Sequence, residues 1–385
     1  MSDPRPFTLH VADATLDDLQ QRLARARFPD LPPHGEAWEY GADVTYVRDL
    51  VGYWRDGFDW RKQEAALNAF PQFTAEVAGI NLHFLHVPGV GPRPMPLLLS
   101  HGWPGSIWEF YKIIPLLTDP GRFGGDPSDA FTVVAPSLPG YTLSFQPGQP
   151  RFGVAEMGNA FVELMRDVLG YERFLAQGGD WGSFISTHIG LIHPSSTLGV
   201  HINLIPLRRE PPNPALAQTP EVLAYRDELD HWLREETGYS AIQGTKPQTL
   251  AFGLTDSPTG LAAWIIEKFR TWSDNRGNLE NSFSRDDLLT NVMLYWTTGA
   301  IASSFWPYYV RQHAGWPLPS ADRRVEVPTA YQSFPKDILH PPRAVAELAF
   351  NIQRWTVAPR GGHFAALEAP DLLAEDVRAF ARALR

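Results

Sequence analysis

Gly178-Gly179-Asp180-Trp181-Gly182 decides the reading of this chain. The apolar run Phe174 to Gly178 enters it with the look of a buried strand, and Ser183 to Ile192 leaves it with helical spacing. Together they have the form of a strand-to-helix elbow, G-x-S-x-G, with a carboxylate in the serine's place. That exchange changes the chemistry. A serine that attacked saturated carbon would end as an ether, which no histidine-activated water cleaves, whereas an aspartate ends as an ester, which water can hydrolyse. The elbow points to alkylating electrophiles rather than to esters or peptides.

On both sides of the elbow the hydrophobic period switches between two and 3.6 residues. Helices are predicted over Leu16 to Arg27, where Thr15 and Asp18 resemble a capping pair, and over Val44 to Trp54 and Trp60 to Asn68. Phe73 to Val77 and Ile80 to Val87 read as a hairpin around Gly79, and Met95 to Ser100 as a buried parallel strand. Ile107 to Leu117 and Val154 to Leu169 read as helices, with a short strand, Phe131 to Ala135, between them. From about Leu207 to Asp322 the pattern is helical and rich in loops, with helices near Pro220 to Glu236, Pro258 to Thr271, Arg285 to Gly299 and Ala302 to Gln312. Strand character returns at Val325 to Ser333 and Gln353 to Ala358, and Pro370 to Ala383 closes the chain as an amphipathic helix. Alternating strands and helices predict an α/β core with a mostly parallel sheet. The expected organisation is a helical arm over 1–72, a core in two parts over 73–206 and 323–385, and a helical cap over 207–322.

Composition narrows the partners. Lys and Arg number 33 against 43 Asp and Glu, a net charge of −10, and no basic run is present, so nucleic acid is not an expected partner. The 385 residues contain no cysteine, which excludes disulfides, thiolate metal sites and cysteine nucleophiles. The polar, proline-bearing start Met1-Ser2-Asp3-Pro4-Arg5-Pro6 lacks a signal-like apolar run, and no stretch approaches the ~20 residues of a membrane span. A soluble, cytoplasmic protein is expected, with a homodimer as the commonest assembly.

Three further segments fit the elbow. His101-Gly102-Trp103-Pro104-Gly105 follows a strand, where the Trp103 N–H can form an oxyanion hole with that of Trp181. Gly361-Gly362-His363-Phe364 follows a late strand and supplies a histidine base. Phe334-Pro335-Lys336-Asp337 supplies a carboxylate to orient it, with Glu326 as the other candidate. Alone, Asp180 reads equally well as a helix N-cap; the company of the other segments favours a nucleophile.

This set of segments resembles the epoxide hydrolases of the α/β-hydrolase superfamily, in particular the branch with the microsomal and juvenile-hormone enzymes, as a soluble, bacterial-type member. The resemblance spans nearly the whole chain, from Pro6-Phe7 and the Thr15 to Asp30 helix, through His101 to Ser106 and Gly179 to Gly182, to Arg360 to Glu368. It implies Asp180 as nucleophile, His363 as base and Asp337 as the orienting acid. It also implies a pair of cap tyrosines on the epoxide oxygen, Tyr239 in Gly238-Tyr239 and Tyr308 in Phe305-Trp306-Pro307-Tyr308, with Tyr309 adjacent. The implied partners are an apolar epoxide and water, the product is a vicinal diol, and neither a cofactor nor a metal is called for. Detoxification and natural-product tailoring both fit. A haloalkane dehalogenase shares the aspartate and the following tryptophan but typically carries asparagine at the position of Trp103 and lacks the tyrosines. A non-catalytic binding protein of the same fold is the alternative from another class. His101 is expected to hold its loop; His188 and His193 read as structural, and His83 and His86 fall on opposite faces of a strand.

Overall fold

A computed structural model describes residues 3–206, 214–316, 318–320 and 322–385. Nine strands form one sheet: β1 (Arg5–Pro6), β2 (Gln72–Val77), β3 (Ile80–Val87), β4 (Met95–Ser100), β5 (Phe131–Pro136), β6 (Phe174–Gly178), β7 (Thr197–Ile202), β8 (Val325–Ser333) and β9 (Phe350–Val357). They lie in the order β1-β2-β3-β5-β4-β6-β7-β8-β9. The first three strands and the β3–β5 pair are antiparallel, and every pairing from β5 through β4 to β9 is parallel. The predicted hairpin is present, with Val77 opposite Ile80 and both turn residues, Ala78 and Gly79, at positive φ, the geometry of a two-residue turn that matches strand twist.

Chain direction across the sheet reverses at β4, which pairs with β5 on one side and β6 on the other. Ligand crevices in open parallel sheets form outside the carboxyl ends of strands at such a switch point. Ser100 and Gly178, the last residues of β4 and β6, are register partners, so the two loops that follow start side by side. On the other flank Lys336 bridges to Gly362 beyond the ends of β8 and β9, drawing the loops that carry Asp337 and His363 together.

The helix Asp180–Ile192 is buried from Trp181 to Gly190 because it crosses the sheet beneath these loops. Its approach to β4 depends on Gly182, where a Cβ would stand 1.9 Å from the Ser100 carbonyl oxygen. Asn203 crowds Gly179 in the same way, at 2.6 Å.

Some elements escaped the sequence pattern. In β7 the run Thr-Leu-Gly-Val-His-Ile is broken by Gly199 and His201. Gly199 is needed because a Cβ would meet Phe380 of the last helix and Leu384 just beyond it, and buried His201 is satisfied by Asp376 at 3.0 Å. The first helix runs Asp13–Ala24 with Ala12 at its cap position, so Thr15 lies inside it and caps nothing. Ile107 to Leu117 divides into a 3-10 turn, Ile107–Phe110, and a short helix, Ile113–Thr118. Two more helices, Gly238–Thr245 and Pro247–Asp256, precede Pro258–Thr271 and Arg285–Thr298.

The N-terminal residues tie the helical layer down. The Tyr53 hydroxyl donates to Asp286 at 2.7 Å and the Gln63 amide at 3.2 Å, while Arg22 reaches Asp256 at 2.7 and 3.0 Å. No helix among the described residues is long and apolar enough to cross a membrane.

Two glycines test the close packing. Gly182→Ala should destabilise the protein by about 1–3 kcal/mol through overpacking. Gly52→Ala, inside a helix with nothing within 4 Å of the new methyl, should stabilise it by about 0.5–1 kcal/mol. Denaturant midpoints of the two variants against the parent check both signs.

Candidate active site

The loops after β4, β6, β8 and β9 bring His101 to Gly105, Asp180, Asp337 and His363 to one end of the sheet. Asp180 sits at φ +46°, in the left-handed region that a non-glycine residue rarely adopts. Strain of that kind at a strand-to-helix elbow lifts the side chain out of the helix and into the crevice. There the Trp103 N–H donates to Asp180 Oδ1 at 2.9 Å. Gly102 makes this approach feasible, since a Cβ on it would lie 2.3 Å from that of Asp180. Trp181 contributes an amide from the first helical turn, where N–H groups have no acceptor within the helix.

His363 stands between two carboxylates. Its Nδ1–H donates to Asp337 Oδ1 at 2.6 Å, and Nε2 lies 3.3 Å from Asp180 Oδ2, too bent for a good hydrogen bond. The side chains of His363 and Asp337 are 2% and 0% exposed, that of Asp180 15%. Burial alone would lower the imidazole pKa, but the Asp337 carboxylate, reinforced by Asp180, outweighs it and holds the ring well above its ordinary range. Asp337 Oδ1 also accepts the Ile338 N–H at 2.7 Å, which fixes its rotamer. Glu326, the other candidate acid, lies at the opposite end of β8 and is 74% exposed.

The cap grips both halves of the site. Asn291 donates to the Pro104 carbonyl at 2.8 Å and accepts from Ser106 at 2.7 Å, while the Tyr295 hydroxyl donates to the Gly105 carbonyl at 2.7 Å. The Trp103 N–H that meets Asp180 shares its peptide unit with the Gly102 carbonyl, which the His101 ring holds at 3.0 Å. On the loop after β9, the His363 N–H donates to the Trp272 carbonyl at 2.8 Å, and Glu368 accepts the amides of Phe364 and Asp274 at 3.0 and 2.8 Å. Sequence reasoning missed Asn291 and Tyr295, because no local pattern marks mid-helix residues whose partners lie more than 180 positions away. His101 holds its own loop: one ring nitrogen donates to the Gly102 carbonyl at 3.0 Å and the other accepts the Leu138 N–H at 3.1 Å.

Tyr239 and Tyr308 come together over the same loop. Tyr239 stacks on Trp103 with centroids 5.2 Å apart, and Tyr308 packs edgewise on Trp181 at 4.7 Å and on Trp103 at 5.8 Å. The two phenol rings are 5.7 Å apart. Burial first, then the neighbouring Tyr239 and Asp180, raise the Tyr308 pKa well above that of a free phenol. Tyr309 turns away, stacked between Trp306 and His313. Elsewhere His83 bonds to Ser137 and Gln72, and His188 and His193 share Asn159. Among the described residues no group of three His, Cys, Asp or Glu could hold a metal ion.

This fold defines an α/β hydrolase, with an aspartate at its strand-to-helix elbow. The sequence matches the family described as "alpha/beta hydrolase fold" over residues 95–370 and that described as "Epoxide hydrolase N terminus" over residues 4–110. It is 39% identical to epoxide hydrolase 1 of Oryctolagus cuniculus over 98% of this chain and 88% of that one. It is 38% identical to juvenile hormone epoxide hydrolase 2 of Ctenocephalides felis over 97% and 84%. Among solved structures, juvenile hormone epoxide hydrolase from the silkworm Bombyx mori superposes with a TM-score of 0.87 at 30% identity, covering 100% of this chain and 95% of that one. The epoxide hydrolase of Aspergillus niger gives 0.86 at 31%, covering 100% and 97%. The chain belongs to the epoxide hydrolase family.

Because two carboxylates hold its proton, His363 should titrate above an ordinary imidazole in the free protein. Following its ring protons by NMR, Asp337→Asn should move that titration down, and Asp180→Asn should move it down less. An unchanged titration in both variants would contradict the electrostatic account.

Proposed function

We propose that this epoxide hydrolase opens an apolar, bulky or aromatic epoxide through a covalent ester on Asp180 and releases a vicinal diol. The observation that carries this reading is the placing of one carboxylate between an amide donor and a buried histidine, beneath a pair of phenols. Asp180 attacks an epoxide carbon while Tyr239 and Tyr308 hold the ring oxygen from the other side. The departing alkoxide is far more basic than a phenolate, so a phenol of raised pKa stays protonated at neutral pH and still gives up its proton as the C–O bond breaks. Aromatic walls from Trp103, Trp181 and Phe305 suit an apolar substrate.

Ester formation then changes the electrostatics of the site. Alkylation removes the charge on Asp180, one of the two groups that hold a proton on His363. The imidazole becomes easier to deprotonate at the stage where a base is needed. Neutral His363 takes a proton from water, the hydroxide attacks the ester carbonyl, and the N–H groups of Trp103 and Trp181 stabilise the oxyanion by ~3 kcal/mol per donor. Asp337 stabilises the imidazolium that results. A cytoplasmic homodimer completes the proposal, and light scattering measures its mass.

In a single turnover in water enriched in heavy oxygen, the first diol should carry mostly unlabelled oxygen, because Asp180 gives up one of its own. Fully labelled diol in that turnover would mean direct attack by water. Tyr239→Phe and Tyr308→Phe should each slow alkylation and leave ester hydrolysis nearly unchanged. Alkylation at the parent rate in both would remove them from the reaction. Halide release from a chloroalkane without epoxide turnover would favour the dehalogenase reading instead.

The pH dependence has a definite sign. The base is active only when deprotonated, so ester decay should rise with pH through the His363 ionisation and then level off. Stopped-flow decay rates that fall with rising pH would contradict this assignment of the base.

A further inference from the structure

Glu109 has no part in the steps above, yet it shares their cavity. It lies in the 3-10 turn Ile107–Phe110, and its carboxyl lines, with Trp103, Asp180 and His363, a cavity of about 20 Å³. The seat depends on a missing side chain, because a Cβ on Gly105 would lie 1.5 Å from Glu109 Oε1. Successive amides of one loop thus face two carboxylates. That of Gly102 turns to Glu109, and that of Trp103 donates to Asp180 at 2.9 Å. No cation forms a salt bridge with Glu109 among the described residues. Burial first, and the charge on Asp180 in addition, push its carboxyl up to about 8, against the pull of His363 and the Gly102 amide.

Glu109 is half-buried, and a carboxyl turned into a cavity with no salt-bridge partner among the described residues fills space at a higher cost than an apolar side chain of that length. What the position does offer is a second polar wall opposite the base. A cavity needs only ~10–15 Å³ of space for a water's centre to hold one, provided polar partners surround it. His363 Nε2, which makes no hydrogen bond, faces this space.

The geometry points to Glu109 as the second holder of the hydrolytic water, gripping one O–H while His363 Nε2 takes the proton from the other. This rests on the reading of Asp180 and His363 given above. In the step, the His363-bound proton leaves the water as its oxygen bonds to the Asp180 carbonyl carbon. The tetrahedral adduct collapses with loss of the diol alkoxide, which takes the proton back from His363. The acid proton left on Asp180 passes to the phenolate made by ring opening, restoring carboxylate and phenol. Glu109 exchanges no proton in the balance; it fixes the water's orientation, and a misplacement of about 1 Å costs on the order of a hundredfold in rate.

The test is single-turnover kinetics with a slowly hydrolysed epoxide, following alkylation and ester decay separately in Glu109→Gln. Alkylation should stay within about twofold of the parent and ester decay should slow by about ten- to a hundredfold, since the amide keeps one acceptor oxygen, which the Gly102 N–H takes, and turns its N–H groups to the water. Glu109→Asp should recover part of the loss. In Glu109→Ala, added formate should speed ester decay without touching alkylation, a rescue that a structural role for Glu109 would not give. A folded Glu109→Gln protein with parental ester decay, or one in which alkylation slows as much as decay, would overturn the inference. So would the absence of formate rescue, should the glutamine variant not fold. If the parent itself forms no ester, the Asp180 reading fails first, and the two failures are told apart.

Discussion

One imidazole held between two carboxylates sets the terms for the rest of this molecule. His363 is 2.6 Å from Asp337 and 3.3 Å from Asp180, and all three groups are largely withdrawn from water. Charges so placed are tolerable only when each has a fixed partner, because a lone buried charge costs far more than its pairing returns. Each is accordingly fixed by backbone: the Trp103 amide for Asp180, the Ile338 amide for Asp337, and the Trp272 carbonyl for the His363 main chain. The sheet makes this possible by delivering four loops from the same ends of β4, β6, β8 and β9, two register contacts bringing them together in pairs.

The cap is more than a cover. Hydrogen bonds from Asn291 and Tyr295 hold the loop after β4, and the Trp272 to Asp274 stretch fixes the loop that carries His363. The N-terminal helices in turn hold the cap through Asp286 and Asp256. Asp286, Asn291 and Tyr295 lie on one helix, Arg285–Thr298, so the arm and the loop beside Asp180 hold the same element. The same coupling bears on the proposed cycle, since alkylation of Asp180 would be felt at once by His363 and Glu109, both of which respond to its charge.

Much of the fold could be read from the chain because its decisive segments impose backbone demands that only a few residues meet. Gly178 and Gly182 around an aspartate announce an elbow, and the turn at Ala78-Gly79 announces a hairpin. Strand β7 was invisible for the opposite reason: Gly199 and His201 serve neighbours distant in sequence, and they erase the apolar run. At the site, the choice between Asp337 and Glu326 needed coordinates, because each is a carboxylate on or beside the same strand. Tyr308 and Tyr309 are separated only by which face of the helix Trp306–His313 meets Trp103 and Trp181. Glu109 has no local signature at all, since a glutamate in a short turn ordinarily faces solvent, and its place at the cavity depends on the room left by Gly105.

The central claim is that Asp180 forms the bond to substrate and His363 acts only afterwards. Intact-protein mass spectrometry of His363→Gln after exposure to epoxide tests it most directly. The account predicts one substrate mass added to the protein, mapped by peptide analysis to Asp180, with little diol released. A folded variant that yields diol at the parental rate, or that neither turns over nor gains mass, would contradict it.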